Sequence, residues 1–489
     1  MFLRFLLQKL SYVYVFIHER APSMLHRISE SYWGMLFILG SSLMICTFSV
    51  WIADPDIFWH LKVGEWIVTY GSVPRYDVYS WSVYGEPWTA HQWAWYAIMY
   101  FLHDQLGILG LWLLALAAAL LSGFLVRAGL LAAGISSRIA LAVGGIVPLL
   151  LIGWLRPWPQ AGVYVMFSAY LYFSLKKTWA WKDIALISIL GLVWSNIHST
   201  AVMLPLLLLA EIFWYRVFRK VPFTSLKLQV TAVLTSGLMT LVNPHGIGLW
   251  QYAVGQGLLT GAYREHISLW APYVFSYDNL SIYIFFVSVA ILFFAVKQDR
   301  NKSLEFVRAL LFWVLALLSN LYTPYALLST AVLLGTFKFQ LGAKSLMRIG
   351  LVSLAIGISI SFYLGMPDDL EEIADKWDYP VAAVQVIKED NLERVYNRFG
   401  WGGYLLWEDI PVYIDGRNDV YGSLFLDFVN ISNNEQPLGD VIAETGAETV
   451  LFPVNSTVDH ALKEASLWDE YYRDEVAVIY IRINEGEWM

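Results

Sequence analysis

Long apolar runs alternate with short, mostly basic connectors over the first three quarters of the chain, and the alternation stops near residue 366. The runs fall at residues 33–53, 108–126, 139–155, 159–175, 184–197, 199–215, 228–242, 280–296, 306–319, 321–337 and 349–366. An α-helix needs roughly 20 apolar residues to cross the hydrocarbon core, so the longer runs predict spans outright. The shorter ones predict tightly turned hairpins, as where 139–155 meets 159–175 at Arg156-Pro-Trp-Pro159. Residues 91–106 are nearly long enough to span. They are read here as a helix in the outer interface, where Trp93, Trp95 and Tyr96 belong.

Positive charge orients the spans. With the N-terminus inside, the inner segments 1–32, 127–138, 176–182, 216–227, 297–308 and 338–348 hold 20 Lys+Arg. The outer segments before residue 367 hold four: Lys62, Arg75, Arg156 and Arg264. This asymmetry predicts eleven spans, a cytoplasmic N-terminus and an extracytoplasmic C-terminus. Residues 1–17 are apolar but interrupted by Arg4 and Lys9, with no small-residue cleavage site after them, so segment 1–32 reads as a cytoplasmic interfacial region.

Composition fits a multi-pass cell-membrane protein: of 489 residues, 58% are hydrophobic and 15% charged. The net charge of −8 hides a split, with +10 over residues 1–366 and −18 over residues 367–489. Three regions follow: the segment 1–32, a membrane domain 33–366 with a long outer loop 54–107, and an acidic soluble domain 367–489. One cysteine, Cys46, rules out an internal disulfide.

The registry gathers the unusual polar motifs on the outer face. Asp54-Pro-Asp56 follows the first apolar run directly, with His60 close behind, and carboxylates at a membrane rim face water, a cation or a polar substrate. Arg156 is the one basic residue in a tight outer hairpin and needs an anion or the headgroup layer. Asn196-Ile-His198, Asn243-Pro-His245-Gly246, Arg264-Glu265-His266, and Asn320 with Pro324 complete the set. The bland alternatives are a solvated helix end for the aspartates, a turn at Asn196 and His198, and a helix stop at Asn243-Pro244. Loop 54–107 is too long for a mere connector. Within it, residues 62–68 read as a short amphipathic helix, and most of its tryptophans as an interfacial belt.

In the tail, residues 380–390 read as helix, 411–414 as a strand ending in Asp415-Gly-Arg417, and 449–452 and 477–481 as further strands, together a small α/β domain. Asp415-Gly416 is most simply a turn, and Gly400 and Gly402-Gly403 permit tight backbone geometry. No phosphate loop, dinucleotide fingerprint, zinc spacing or serine-hydrolase elbow appears, against an ATP-driven pump, a nicotinamide enzyme and a serine hydrolase. Charged residues are scarce within the runs, Glu211 being the main exception, against an ion-coupled transporter.

These motifs resemble those of GT-C membrane glycosyltransferases, and more closely a bacterial branch of that superfamily. They are Asp54 to Leu61 (D-x-D-x-x-W-H-L), Pro74 to Asp77, Pro87-Trp88 with His91 and Trp93, Arg156-Pro157, Trp194 to His198 and Asn243 to Gly246. A C-terminal soluble domain with G-G-Y-L (Gly402 to Leu405) and I-D-G-R (Ile414 to Arg417) completes the pattern. The resemblance implies a polytopic α-helical membrane protein of about eleven spans, GT-C-like, with a C-terminal α/β soluble domain. It further implies transfer of a sugar from a polyprenyl-phosphate donor to an acceptor hydroxyl at the outer membrane face. Asp54 or Asp56 would be the general base, with His60, Arg156, His198, His245 and Arg264 placed for substrate. Some relatives hold a divalent metal at such acids; nothing in this sequence requires one or another cofactor. Membrane lipid is an expected partner and nucleic acid is not. An envelope-glycan protein partner through residues 367–489 is compatible with the acidic tail. Two other readings stay open: a polysaccharide polymerase or ligase, and a non-catalytic assembly component.

Overall fold

The structure is a computed structural model that describes residues 35–43, 55–151, 154–263, 271–272, 280–297, 303–337, 341–364, 367–433 and 438–483. Segment 1–32, Asp54 and Arg264 lie outside the described residues.

Two helices belong to the long loop: α1 (Asp56–Tyr70) and α2 (Trp93–Leu106). The helical bundle follows: α3 (Ile108–Ala132), α4 (Ser137–Leu150), α5 (Pro159–Leu175), α6 (Trp181–Ile197), α7 (Met203–Val217), α8 (Lys227–Met239), α9 (Gly248–Tyr263), α10 (Leu280–Lys297), α11 (Leu304–Leu318), α12 (Thr323–Gly335) and α13 (Ala343–Leu364). Among the described residues, Ile108–Ala132, Ser199–Val217 and Ala343–Ser361 are long and apolar enough to cross a membrane, and Ser137–Leu150 and Phe285–Lys297 are shorter apolar helices. Small residues let these helices approach closely. Gly123 on α3 faces Gly144 on α4, and a Cβ on either would press into the other's carbonyl oxygen at 2.6 or 2.8 Å. Phe213, Leu234, Phe286 and Ile358 are each more than half exposed, a surface suited to lipid rather than water.

One charge counted with the inner connectors is instead buried. Arg308 lies on α11, where its Nη1 donates to Ser174 Oγ at 2.6 Å and stands 3.6 Å from Glu211 Oε1. The Tyr170 hydroxyl donates to the same carboxylate oxygen at 2.5 Å. Glu211 is therefore half of an internal ion pair, and the apolar pattern around Arg308 gave no hint of its partner on α7.

Helix α1 starts earlier than the sequence suggested and is not amphipathic. Pro55 stands at its N-cap, and Phe58, Trp59, His60, Leu61 and Val63 are all buried. Both faces have partners. Phe58 meets Tyr379 and Tyr404 of the tail edge-on, each at 5.2 Å, while Gly64 lies so close to the Tyr96 backbone on α2 that a Cβ would overlap it.

The tail opens with α14 (Leu370–Lys376) and α15 (Val381–Glu389), and its sheet runs β1 (Val395–Asn397), β2 (Thr449–Pro453), β4 (Ala477–Arg482), β3 (Trp468–Arg473) in spatial order. β1 pairs parallel with β2; the β2–β4 and β4–β3 pairs are antiparallel. β3 escaped the sequence reading because its middle is polar and exposed, as befits an edge strand. Residues 411–414, expected as a strand, form only isolated bridges, Val412 to Val395 and Val412 to Ser80. Their backbone groups are satisfied from elsewhere. Trp81 N–H donates to Val412 O at 3.0 Å, Ser82 Oγ donates to Tyr413 O, and Asn397 Oδ1 accepts from Tyr413 N–H at 2.9 Å.

The loop between α1 and α2 is thus joined to the tail. The stretch 91–106 is observed as the 14-residue helix α2.

Candidate active site at the seam of loop and tail

Asp56 is the first residue of α1, where helix-terminal N–H groups favour an anion. Its Oδ1 accepts from Trp59 Nε1 at 2.9 Å. Two tail motifs close over it. A Cβ added at Gly416 would overlap Asp56 Oδ1 and come within 2.7 Å of Trp59 Nε1; one at Gly403 would stand 2.5 Å from Pro55 O. Glycine is required at both positions because the tail backbone lies directly on the acidic motif.

Arg417 holds this contact. Its side chain is fully buried and forms ion pairs with Asp77 of the loop between α1 and α2 and Asp415 of the tail. Nε donates to both Asp415 oxygens, at 2.9 and 3.1 Å. The guanidinium carbon lies 4.8 Å from the Tyr79 ring centroid and 5.1 Å from that of Trp88. Asp77 also accepts from Ser80 N–H and Oγ, and Asp415 from the Tyr421 hydroxyl at 2.7 Å. Burial opposes the arginine's charge, but Asp415, Tyr421 and Asp77 outweigh it and raise its pKa well above the ordinary value. The turn expected at Asp415-Gly-Arg417 is therefore also the core of a buried network. A local Asp-Gly signal could not reveal that its partner is Asp77.

Beyond Arg417, the short helix Asn418–Tyr421 carries the half-buried Asp419. Burial pushes the Asp419 carboxyl up to about 6, against its own backbone N–H, Tyr252 and the Arg417 charge. Tyr252 packs on His91 at 4.5 Å between ring centroids, and His91 meets His198 edge-on at 5.0 Å. Burial, followed by His198, holds His91 well below the usual imidazole range. His60 stacks on Tyr96 at 5.0 Å; burial lowers it to about 3, and its Nδ1 has no hydrogen-bond partner. Asp56, His91, Tyr252 and Asp419 are each half-buried.

The hairpin motifs meet at the start of α2. Trp93 Nε1 donates to Asn196 Oδ1 at 3.2 Å, and Trp95 Nε1 to Pro157 O at 3.4 Å. Asn196 Nδ2 donates to Val242 O at 2.8 Å, and Arg75 Nη2 to Pro244 O at 3.0 Å. Much of this is architecture. Asn243 Oδ1 accepts from His245 N–H at 2.8 Å, as its reading as a helix stop requires, and His198 Nδ1 accepts from Thr200 N–H at 3.1 Å. His245 lies beside Ala90, and burial lowers its pKa. The Arg156 guanidinium stands 5.2 Å over the Trp158 ring, on the hairpin that Trp95 touches. Tyr252, Asp415, Arg417 and Asp419 were missed as site residues; only the IDGR motif could have pointed toward them. Among the described residues, no three His, Cys, Asp or Glu side chains gather as a metal would require.

No family profile and no curated protein matches the chain. Solved structures do. The archaeal oligosaccharyltransferase AglB from Archaeoglobus fulgidus, in complex with an inhibitory peptide and a dolichol-phosphate, aligns with a TM-score of 0.58 at 12% identity over 95% of this chain and 75% of that one. The apo form of the Archaeoglobus fulgidus oligosaccharyltransferase gives 0.54 at 11%, over 86% and 69%. ArnT from Cupriavidus metallidurans, bound to undecaprenyl phosphate, gives 0.55 at 12%, over 92% and 98%. The chain has the GT-C fold. As in the sequence reading, that fold carries a C-terminal extension.

Proposed function

We propose that the protein is a membrane glycosyltransferase that moves a sugar from a polyprenyl-phosphate donor to an acceptor hydroxyl at the outer face of the membrane. The observation that supports the reading is Asp56, a carboxylate at a helix N-terminus in a chain with the GT-C fold, over which the tail backbone closes at Gly403 and Gly416. Two of the similar structures hold polyprenyl-type phosphates, dolichol-phosphate and undecaprenyl phosphate, which supports the donor class.

In this reading Asp56, or Asp54 beside it, accepts the proton of the acceptor hydroxyl as that oxygen attacks the anomeric carbon, and the lipid phosphate departs. A base must lie within hydrogen-bond reach of its proton, and the tail wall around Asp56 would confine the acceptor there. The departing phosphate needs a cation, for which Arg156 and Arg264, two of the three arginines counted to the outer segments, are the candidates; the third, Arg75, already donates to Pro244 O. His198 and His245 would serve as neutral donors at the hairpin ends.

The test is reconstitution of the full chain in nanodiscs with undecaprenyl-phosphate sugars and a hydroxylated acceptor. Asp56→Asn, Asp54→Asn and the double variant are compared after confirming insertion. Transfer that survives in all three refutes the reading. Dependence on Mg²⁺ or Mn²⁺, measured in the same assay after chelation, decides whether the carboxylates work with a metal.

A further inference from the structure

Trp59 stands one helical turn after Asp56 on α1, and its indole Nε1 donates to Asp56 Oδ1 at 2.9 Å. An indole nitrogen can only donate, so the oxygen it meets must accept. The N–H groups at the start of α1 favour the same anionic form. A general base has to be ionised and aimed before it can take a proton. The indole bears on both requirements at once.

The ring has little freedom to turn elsewhere. Trp59 is 6% exposed and meets Tyr96 of α2 edge-on at 5.3 Å between ring centroids. On the tail side, a Cβ at Gly403 would stand 3.3 Å from its Cδ1, and one at Gly416 would stand 2.7 Å from its Nε1. The Gly416 backbone is itself fixed. Its carbonyl accepts from Asn418 N–H at 2.9 Å and from Asn418 Nδ2 at 3.1 Å, and the next N–H, of Arg417, donates to Asp415 Oδ1 at 2.8 Å. Helix α2 and two tail glycines therefore bracket the indole. Other buried or half-buried indoles in the same loop end on backbone carbonyls, Trp81 on Val395 O at 3.1 Å and Trp95 on Pro157 O at 3.4 Å. Trp59 gives its N–H to the acid instead, at the place where the tail backbone comes closest.

We propose that Trp59 is a positioning residue for Asp56: its indole N–H aims the carboxylate and keeps it ionised for the acceptor's proton, and the tail sets that aim by bracketing the ring at Gly403 and Gly416. This deepens the glycosyltransferase reading and rests on it. The bland alternative is an aromatic that packs the seam, its N–H incidental to turnover.

The experiment follows release of undecaprenyl phosphate from its glucose, mannose, galactose and N-acetylglucosamine conjugates by the full chain in nanodiscs, with glycerol as acceptor, over a range of pH. Trp59→Phe removes the N–H and part of the ring. Trp59→3-benzothienylalanine keeps the bicyclic shape and puts sulfur where the N–H was, so packing is preserved. Both are expected to lower kcat about tenfold, as loss of one hydrogen bond to a charged group would, with KM for the donor within about twofold of wild type. Both are also expected to move the acidic limb of the kcat/KM profile to higher pH by about one unit, because a carboxylate without its donor holds a proton more tightly. An acidic limb that stays in place in both variants while kcat falls marks Trp59 as packing and overturns the inference. Full activity of the benzothienyl variant overturns it too. Turnover lost in Asp54→Asn but kept in Asp56→Asn overturns it and leaves the enzyme reading standing, with the other acid as base. A wild type that releases no undecaprenyl phosphate from any conjugate removes the enzyme reading, and this inference falls with it.

Discussion

Arg417→Met tests whether the tail is fastened where the structure places it. Methionine keeps much of the stem's bulk and removes the guanidinium, which leaves Asp77 and Asp415 as buried carboxylates without their cation. Removing one partner of a buried pair costs about 3–5 kcal/mol. The lower end applies, because Asp77 keeps its Ser80 donors and Asp415 keeps the Tyr421 hydroxyl. About 3 kcal/mol is roughly a hundredfold in an opening equilibrium. The amide of Trp81, bonded to Val412 O at 3.0 Å, reports that opening directly. Hydrogen exchange in nanodiscs is expected to show about a hundredfold loss of protection at Trp81, with the β2–β4 ladder unchanged. Adding Asp77→Asn is expected to recover part of the loss, since one orphaned charge is then gone. A loss below about fivefold, or one spread equally through the sheet, refutes the idea that this network is the fastening.

Gly416→Ala is expected to cut transfer at least tenfold, because its Cβ would overlap Asp56 Oδ1; Asp56-dependent turnover in nanodiscs is the readout. Asp419 titrates near 6 in the fold against an ordinary value of 3.8. Between those values the native carboxyl keeps a proton that the unfolded one has lost, so stability falls as pH rises through that window, by at most about 3 kcal/mol. Asp419→Asn is therefore expected to be more thermostable than wild type above pH 6 and no more so below pH 4; equal melting curves at pH 8 contradict this. Arg308→Met is expected to lower the yield of folded protein by stranding Glu211, and Arg308→Met with Glu211→Gln to restore it, as read by size-exclusion recovery. No recovery in the double variant counts against the pair.

The helical bundle and its acidic extension were legible because both depend on composition and period, which are local. The motifs were legible one at a time for the same reason. What escaped was which motif touches which. Asp77 and Arg417 pair across 340 positions, and neither carries a mark of the other. Residues 411–414 have strand-like residues, but their hydrogen-bond partners come from Tyr79–Ser82 and the Asn397 side chain, so the local pattern predicted the extended chain and missed its neighbours. Arg308 looked like one more inner-face cation until α7 supplied Glu211.

The long separation between Asp77 and Arg417 also sets an order of events during synthesis. Residues 75–88 leave the ribosome and reach their final side of the bilayer while nearly all the bundle is still unmade. Asp77 then waits in water, and the tail backbone that covers Asp56 is not yet made. Only when residues 412–421 arrive on that same side does the guanidinium slot between the rings of Tyr79 and Trp88. The enclosure of Asp56 by Gly403 and Gly416 is thus among the later contacts the chain can make, and it depends on residues made more than 300 positions after the acid.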